Sequence, residues 1–176
     1  MSWQSILKKV NARVADQFQR PVFIAKEVDW SRLVVIDFET YFDQDYTLSK
    51  LSTSEYVRDP RFKAQMMYLK VGLKPARIIP PNKIKAELRK INWGTHGLLC
   101  HHTQFDGLIL SHHYGVVPSF YYDTLSMARG IHSNEIGAGL DEVSVFYGGA
   151  GKIHDVLEKT KGILVWSPAL YAEASP

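Results

Sequence analysis

Apolar runs and polar stretches alternate along this chain at spacings that separate strands from helices. Leu33-Val34-Val35-Ile36 is apolar and largely β-branched with no polar alternation, as in a central strand covered on both faces. Gln65 to Leu73 and Ala76 to Ile79 read as second and third strands, the latter closed by Pro80-Pro81, and Gly97 to His101 as another buried strand. Tyr121-Tyr122 forms a short further strand. Helical patterns lie between and after these: one capped by Asn82 and running through Ile84, Leu88 and Ile91, one from Phe105 to Tyr114 ending at Gly115, one from Asp123 to Arg129 with Asp123 as cap, and one from Leu140 to Tyr147 stopped by Gly148-Gly149. Tyr41 to Arg61 is a polar, Tyr-rich loop with room for one short helix. Strands first and helices interleaved later predict an α/β domain with a mixed sheet.

The two ends pattern differently. Residues 1–30 carry Ile6, Val10, Val14 and Phe18 at four-residue spacing, which predicts a helical extension ahead of a main domain over 31–176. After Gly149 the pattern weakens: Lys152 to Lys161 suits a short helix, Ile163 to Trp166 is an apolar run, and Ser167-Pro168 opens a helix with no room to continue. That ending predicts a fragment of something longer.

Composition narrows the class without choosing a function. With 45% hydrophobic and 22% charged residues among 176, the chain is an ordinary globular one, long enough for a real core. The single cysteine, Cys100, excludes an internal disulfide and a cysteine-based zinc cluster, and fits a reducing compartment. Without a signal peptide or a membrane-length apolar span, the expected location is cytoplasmic, with no membrane partner. A formal charge of +3 permits a polyanionic partner but does not demand one.

Candidate chemistry begins where the first strand ends, in Asp37-Phe38-Glu39. Residues i and i+2 of a strand share a face, so Asp37 and Glu39 can both address one cation while Phe38 turns into the core. Two buried carboxylates side by side repel and take up a proton unless a hard cation, Mg²⁺ or Mn²⁺, offsets them. The bland alternative is a solvated strand end before a turn. Asp106, in His101-His102-Thr103-Gln104-Phe105-Asp106, adds a third carboxylate at a helix start, where an acid is also favoured simply by the helix dipole, by about 0.3 to 1 kcal/mol. The pairs His101-His102 and His112-His113 do not suggest zinc: neighbours on a strand face opposite ways, and the second pair suits the end of a helix.

These residues also carry a family resemblance. Ile36-Asp37-Phe38-Glu39-Thr40 resembles the first motif of the DEDD-type 3′→5′ exonucleases, and His102-x-x-Phe105-Asp106 is similar to their second, usually written Asn-x-x-Phe/Tyr-Asp. Tyr122-Asp123-Thr124-Leu125 resembles the Asp-Thr segment that follows, and Gly139 to Gly148 the helix before the last motif. The stretch from Glu39-Thr40 to Tyr56 and Asp59-Pro60 looks most like the proofreading domains of phage-type family A DNA polymerases. The resemblance runs from Leu33 to Gly148 and implies an RNase H-like mixed sheet flanked by helices.

It further implies two-metal-ion hydrolysis of single-stranded DNA from its 3′ end, with Mg²⁺ or Mn²⁺ held by Asp37, Glu39 and Asp106 as the catalytic carboxylates. Asp37 would bridge both ions, Glu39 would serve the nucleophile side and Asp106 the other. Thr40, His102 and Phe105 would contact the substrate, and a polymerase module would follow in a bacterial or phage-infected cell. Tyr41, Phe42 and Tyr46 read equally as a wall for bases or as ordinary loop packing.

Two departures qualify the likeness. His102 stands where the family usually has Asn, and the last motif, Tyr-x-x-x-Asp or His-x-x-x-x-Asp, is not found after Gly148; Tyr171-Ala172-Glu173-Ala174-Ser175 ends in Ser. The expectation is that the chain stops before that motif and is inactive or weak alone. Two other readings stand beside this one: a non-catalytic nucleic-acid-binding or scaffold module of a polymerase, and an RNA-directed exonuclease of the same fold.

Overall fold

The computed structural model describes residues 28–132, 135–150, 159–167 and 169–170. Of these, 30–123, 159–167 and 169–170 belong to one compact unit, and 28–29, 124–132 and 135–150 to a second. The predicted helical extension lies almost wholly outside the described residues.

The first unit is built on a five-stranded sheet in the order β3-β2-β1-β4-β5. Its strands are β1 (Leu33–Thr40), β2 (Ala64–Val71), β3 (Arg77–Ile79), β4 (Gly97–Cys100) and β5 (Phe120–Asp123). β1 is central, antiparallel to β2 and parallel to β4, and β4 is parallel to β5, so the sheet is mixed as the alternation of elements predicted. Helices α1 (Thr53–Arg58), α2 (Pro81–Leu88) and α3 (Thr103–Tyr114) belong to the same unit.

One face of the sheet carries the core. Val34, Ile36 and Phe38 of β1, Met67 and Leu69 of β2 and Leu98 of β4 are buried there with Ile84 and Leu88 of α2 and Ile109 and Leu110 of α3. Phe38 stacks on Tyr114 at 5.9 Å, so it is a core residue. The Tyr-rich loop after β1 also feeds this core. Tyr46 is fully buried, stacks on Tyr56 at 4.3 Å and donates its hydroxyl to the Tyr56 carbonyl at 2.6 Å. Of the aromatic trio Tyr41, Phe42 and Tyr46, the last is therefore structural; the other two are half-buried against the core.

Element ends follow local chemistry. Ser52 and Glu55 form a reciprocal capping box at the start of α1, through the local Ser-x-x-Glu signature. α2 is capped by Pro80 with Pro81 in its first turn, so Asn82 lies inside the helix and is not its cap. α3 ends as predicted at Gly115, whose left-handed backbone (φ 66°) turns its N–H back to the Leu110 carbonyl. His113, near that end, lies against the Val57 carbonyl (Nε2 to O, 2.7 Å) and stacks on Phe62. From the C-terminal part, the Gly162 N–H donates to the Phe42 carbonyl at 2.8 Å, the Gln65 amide donates to the Ile163 carbonyl, and Trp166 is buried while Val165 is exposed.

Gly72, after β2, takes φ +57°, and a Cβ there would stand 2.7 Å from the Ser31 carbonyl oxygen. Both the backbone and the space exclude a side chain. Gly72→Ala is expected to cost roughly 2 kcal/mol, read as a fall of several degrees in the unfolding midpoint; an unchanged midpoint would mean that this turn relaxes freely.

In the second unit, α4 (Thr124–His132) and α5 (Leu140–Phe146) carry an aromatic cluster. His132 is buried, with Nε2 3.0 Å from the Tyr147 hydroxyl and its ring edge-on to Phe146. Among the described residues no helix is long and apolar enough to cross a membrane.

Candidate active site

β1 outruns its parallel neighbour. The two pair only over Leu33–Val35 and Gly97–Leu99; β4 then ends at Cys100 while β1 continues to Thr40. The first turn of α3 lies beside the overhang, at the carboxyl ends of two parallel strands, where open α/β sheets place their ligands. Asp106, in that turn, is buried, and its Oδ1 accepts the Phe38 N–H at 3.1 Å. Besides standing where the helix dipole favours an acid, Asp106 satisfies a buried strand amide 68 residues away.

The electrostatics follow from that burial. Loss of water, and next the charge of Asp37, push the Asp106 carboxyl up to about 8, although the Phe38 N–H and the Cys100 thiol both donate to it and pull the other way. Cys100, also buried, is itself pushed far up, first by burial and then by Asp106. Asp37 is exposed and Glu39 half-buried, so the buried carboxylate of the expected set is Asp106 and not the β1 pair. The strand leaves the core face at alternate residues, and at Asp37 the uncovered face lets water in.

Glu39 shares the Asp37 face of β1. Register places Tyr68 of β2 opposite Asp37 and Met66 opposite Glu39, with an irregularity between Glu39 and Thr40. The half-buried Tyr68 is pushed up to about 12, by burial first, then by Glu39 and Asp37. It therefore stays a phenol throughout the neutral range, beside both acids. Nothing in the local sequence marks Tyr68, because only the pairing register brings it there.

Among the described residues, no three His, Cys, Asp or Glu side chains stand close enough together to hold a metal ion between them. The site offers a narrower arrangement, with Asp37 near enough to raise Asp106. Two hard oxygen donors of this kind fit a Mg²⁺ or Mn²⁺ ion that keeps several waters and takes the rest of its ligands from a phosphate. A divalent charge would also favour the ionised form of Asp106, which the protein alone disfavours.

The three residues expected against a substrate are placed differently from one another. Thr40 is committed: Tyr56 donates its hydroxyl to the Tyr41 carbonyl at 2.5 Å, leaving Thr40 to donate to the Tyr56 oxygen at 2.9 Å. The Phe105 ring leans on Tyr56 at 6.0 Å and is half-buried. His102 starts α3 with a left-handed backbone (φ 74°, ψ 57°) and lines an open hollow of about 470 Å³ with Gln104, Leu48, Leu51 and Ser52–Ser54.

Strand order, the antiparallel β2 and the flanking helices make this an RNase H-like α/β fold. By sequence, no protein-family model and no curated protein matches the chain. Among solved structures it is similar to one described as the apo form of the nuclease, at a TM-score of 0.58 and 18% identity over 82% of this chain and 65% of that one. It is also similar to Brucella melitensis NrnC, at a TM-score of 0.56 and 16% identity over 83% and 66% of the two chains. A form of NrnC described as bound to pGG matches at 0.51 and 18% identity over 86% and 69%. The chain thus spans about two thirds of the length of these neighbours, and at such identities the likeness is one of fold.

Proposed function

We propose that this chain is the core of a metal-dependent 3′→5′ exonuclease that hydrolyses phosphodiesters of single-stranded nucleic acid. The observation that carries the reading is the approach of Asp37 and Asp106, distant in sequence, at the overhanging end of β1, where burial first and the charge of Asp37 next hold the Asp106 proton on. A pair arranged so is expensive in a protein that does not use it. Fold likeness to nucleases and the ordered motifs support the same conclusion.

Asp37 and Asp106 would hold the cation, with Glu39 reaching the same face of β1. When bound, such an ion activates a water and stabilises charge on the phosphate. The chain's own residues hold the rest: Tyr68 presents a neutral hydroxyl beside the two acids of β1, and the hollow next to His102 and Gln104 is a place for the strand approaching its cleaved end.

Substrate choice divides two readings. The resemblance around Tyr56 and Asp59-Pro60 favours DNA, with a polymerase module as partner. The neighbour bound to pGG favours short RNA. The test is release of label from 3′-labelled single-stranded DNA, the same sequence as RNA, and pGG, each with Mg²⁺ or Mn²⁺ and with EDTA, alongside calorimetric Mn²⁺ binding. Metal-dependent release from DNA alone supports proofreading, and release from RNA or pGG alone the second reading. Failure to bind Mn²⁺, with all three substrates intact, would overturn the nuclease reading and leave a nucleic-acid-binding scaffold.

A further inference from the structure

The turn that delivers Asp106 is strained, and a bond from outside it reaches its first amide. His102 is the one non-glycine residue among those described with a positive φ, 74°. Side chains with a Cβ rarely adopt that conformation; His, Asn and Asp tolerate it better than most. Its φ, ψ of 74° and 57° are those of the left-handed helical region. The His102 side chain does not cap α3; within the turn the Phe105 N–H donates to the His102 carbonyl at 2.9 Å and the Thr103 hydroxyl reaches the Cys100 carbonyl at 3.4 Å, and neither bond engages the His102 amide.

The support comes from the end of β5. The His102 N–H donates to Asp123 Oδ1 at 2.9 Å, a charge-assisted bond to a residue 21 positions away. Next to it, the Thr103 hydroxyl donates to the Tyr122 carbonyl at 2.9 Å, and Thr103 is buried. Register carries the same message, with Cys100 at the end of β4 opposite Asp123. Three residues beyond Thr103 stands Asp106, whose carboxylate closes on the Phe38 N–H. One line of hydrogen bonds thus runs from β5 through the turn and α3 to β1.

We propose that Asp123 is a positioning residue: by accepting the His102 amide it locks the left-handed turn that launches α3, and so aims Asp106 at the edge of β1 beside Asp37. The proposal rests on the nuclease reading for its purpose but not for its geometry.

The test compares wild type, Asp123→Ala, Asp123→Asn, and Asp123→Ala combined with His102→Asn. Three quantities are read: amide hydrogen exchange at Phe38, which reports the Asp106 bond; Mn²⁺ affinity by calorimetry; and the unfolding midpoint. Asp123→Ala is expected to speed Phe38 exchange and to weaken Mn²⁺ binding, each by about tenfold or more, the range for residues that orient a metal ligand. Asp123→Asn, which keeps an acceptor oxygen, is expected to lose much less, and adding His102→Asn to Asp123→Ala to recover part of both losses, since Asn pays less for the left-handed turn. Should Asp123→Ala not fold, Asp123→Asn decides by the same readouts, with a change of about twofold or more in both expected.

A lower midpoint in Asp123→Ala with Phe38 exchange and Mn²⁺ affinity unchanged would overturn the proposal, because Asp123 would then be merely structural. No recovery in the double variant would overturn it as well. If wild type binds no Mn²⁺ and cleaves nothing, the nuclease reading fails while Phe38 exchange still decides whether Asp123 holds the turn.

Discussion

Asp37→Ala is expected to lower metal-dependent release from a 3′-labelled strand by a factor on the order of 10³, while leaving the metal-free protein at pH 7 as stable as wild type or slightly more so. Asp37 is exposed at the end of β1, so its removal opens no cavity. Its charge is the second cause, after burial, that holds the Asp106 proton on. Without it Asp106 ionises more readily, and the folded state is relieved of a repulsion. A residue needed for the fold would lose activity and stability together; a residue that costs stability and serves chemistry loses only the first. Release measured beside thermal unfolding in EDTA separates the two, and a fall of several degrees with the loss of activity would assign Asp37 to the fold.

How much of this could be read from the chain depends on how local each signal is. β1 was legible because an unbroken apolar run flanked by polar residues admits few other structures, and Asp37 and Glu39 share a face by strand geometry alone. The end of α3 was legible because Gly115 does there what glycine does best. Asp106 was found as a candidate, yet the reason it matters was hidden. Its burial and its bond to Phe38 depend on β4 stopping short of β1, which is a property of the sheet.

Tyr68 and Asp123 show the same limit. Tyr68 belongs to the site through antiparallel register, and beyond the helix cap that Asp123 reads as locally, its carboxylate accepts the His102 amide 21 residues away. For Tyr46 the local pattern left a wall for bases and loop packing equally open, and the structure takes the second. Stacking on Tyr56, ten residues on, takes this loop tyrosine into the core. Local pattern gives elements and candidates, and pairing decides which candidates meet.

Asp106 makes the metal-free protein lose stability as pH rises, opposite to what a carboxylate held by an ion pair does. Its folded pKa is raised from 3.8 to about 8, so the folded state holds a proton that the unfolded chain releases. The contribution is fully present below the unfolded value and is lost as pH climbs through the folded one. Linkage limits the slope to about 1.4 kcal/mol per pH unit, so the loss between pH 5 and pH 7 is expected to be roughly 1 to 3 kcal/mol.

Asp43, Glu55, Asp59 and Glu87 are lowered and give the reverse slope only in acid, below that window. Asp106→Asn keeps an oxygen for the Phe38 N–H but cannot ionise. Its unfolding midpoint in EDTA is expected to stay flatter than that of wild type from pH 5 to pH 8.5, and to exceed it at the upper end. Millimolar Mg²⁺ should flatten the wild-type curve and leave the variant's unmoved, since a cation bound beside Asp37 favours the ionised carboxylate only where there is one to ionise. Parallel curves for the two proteins in EDTA would show that Asp106 is ionised without a metal, and its burial beside Asp37 would then have to be offset by donors other than a cation.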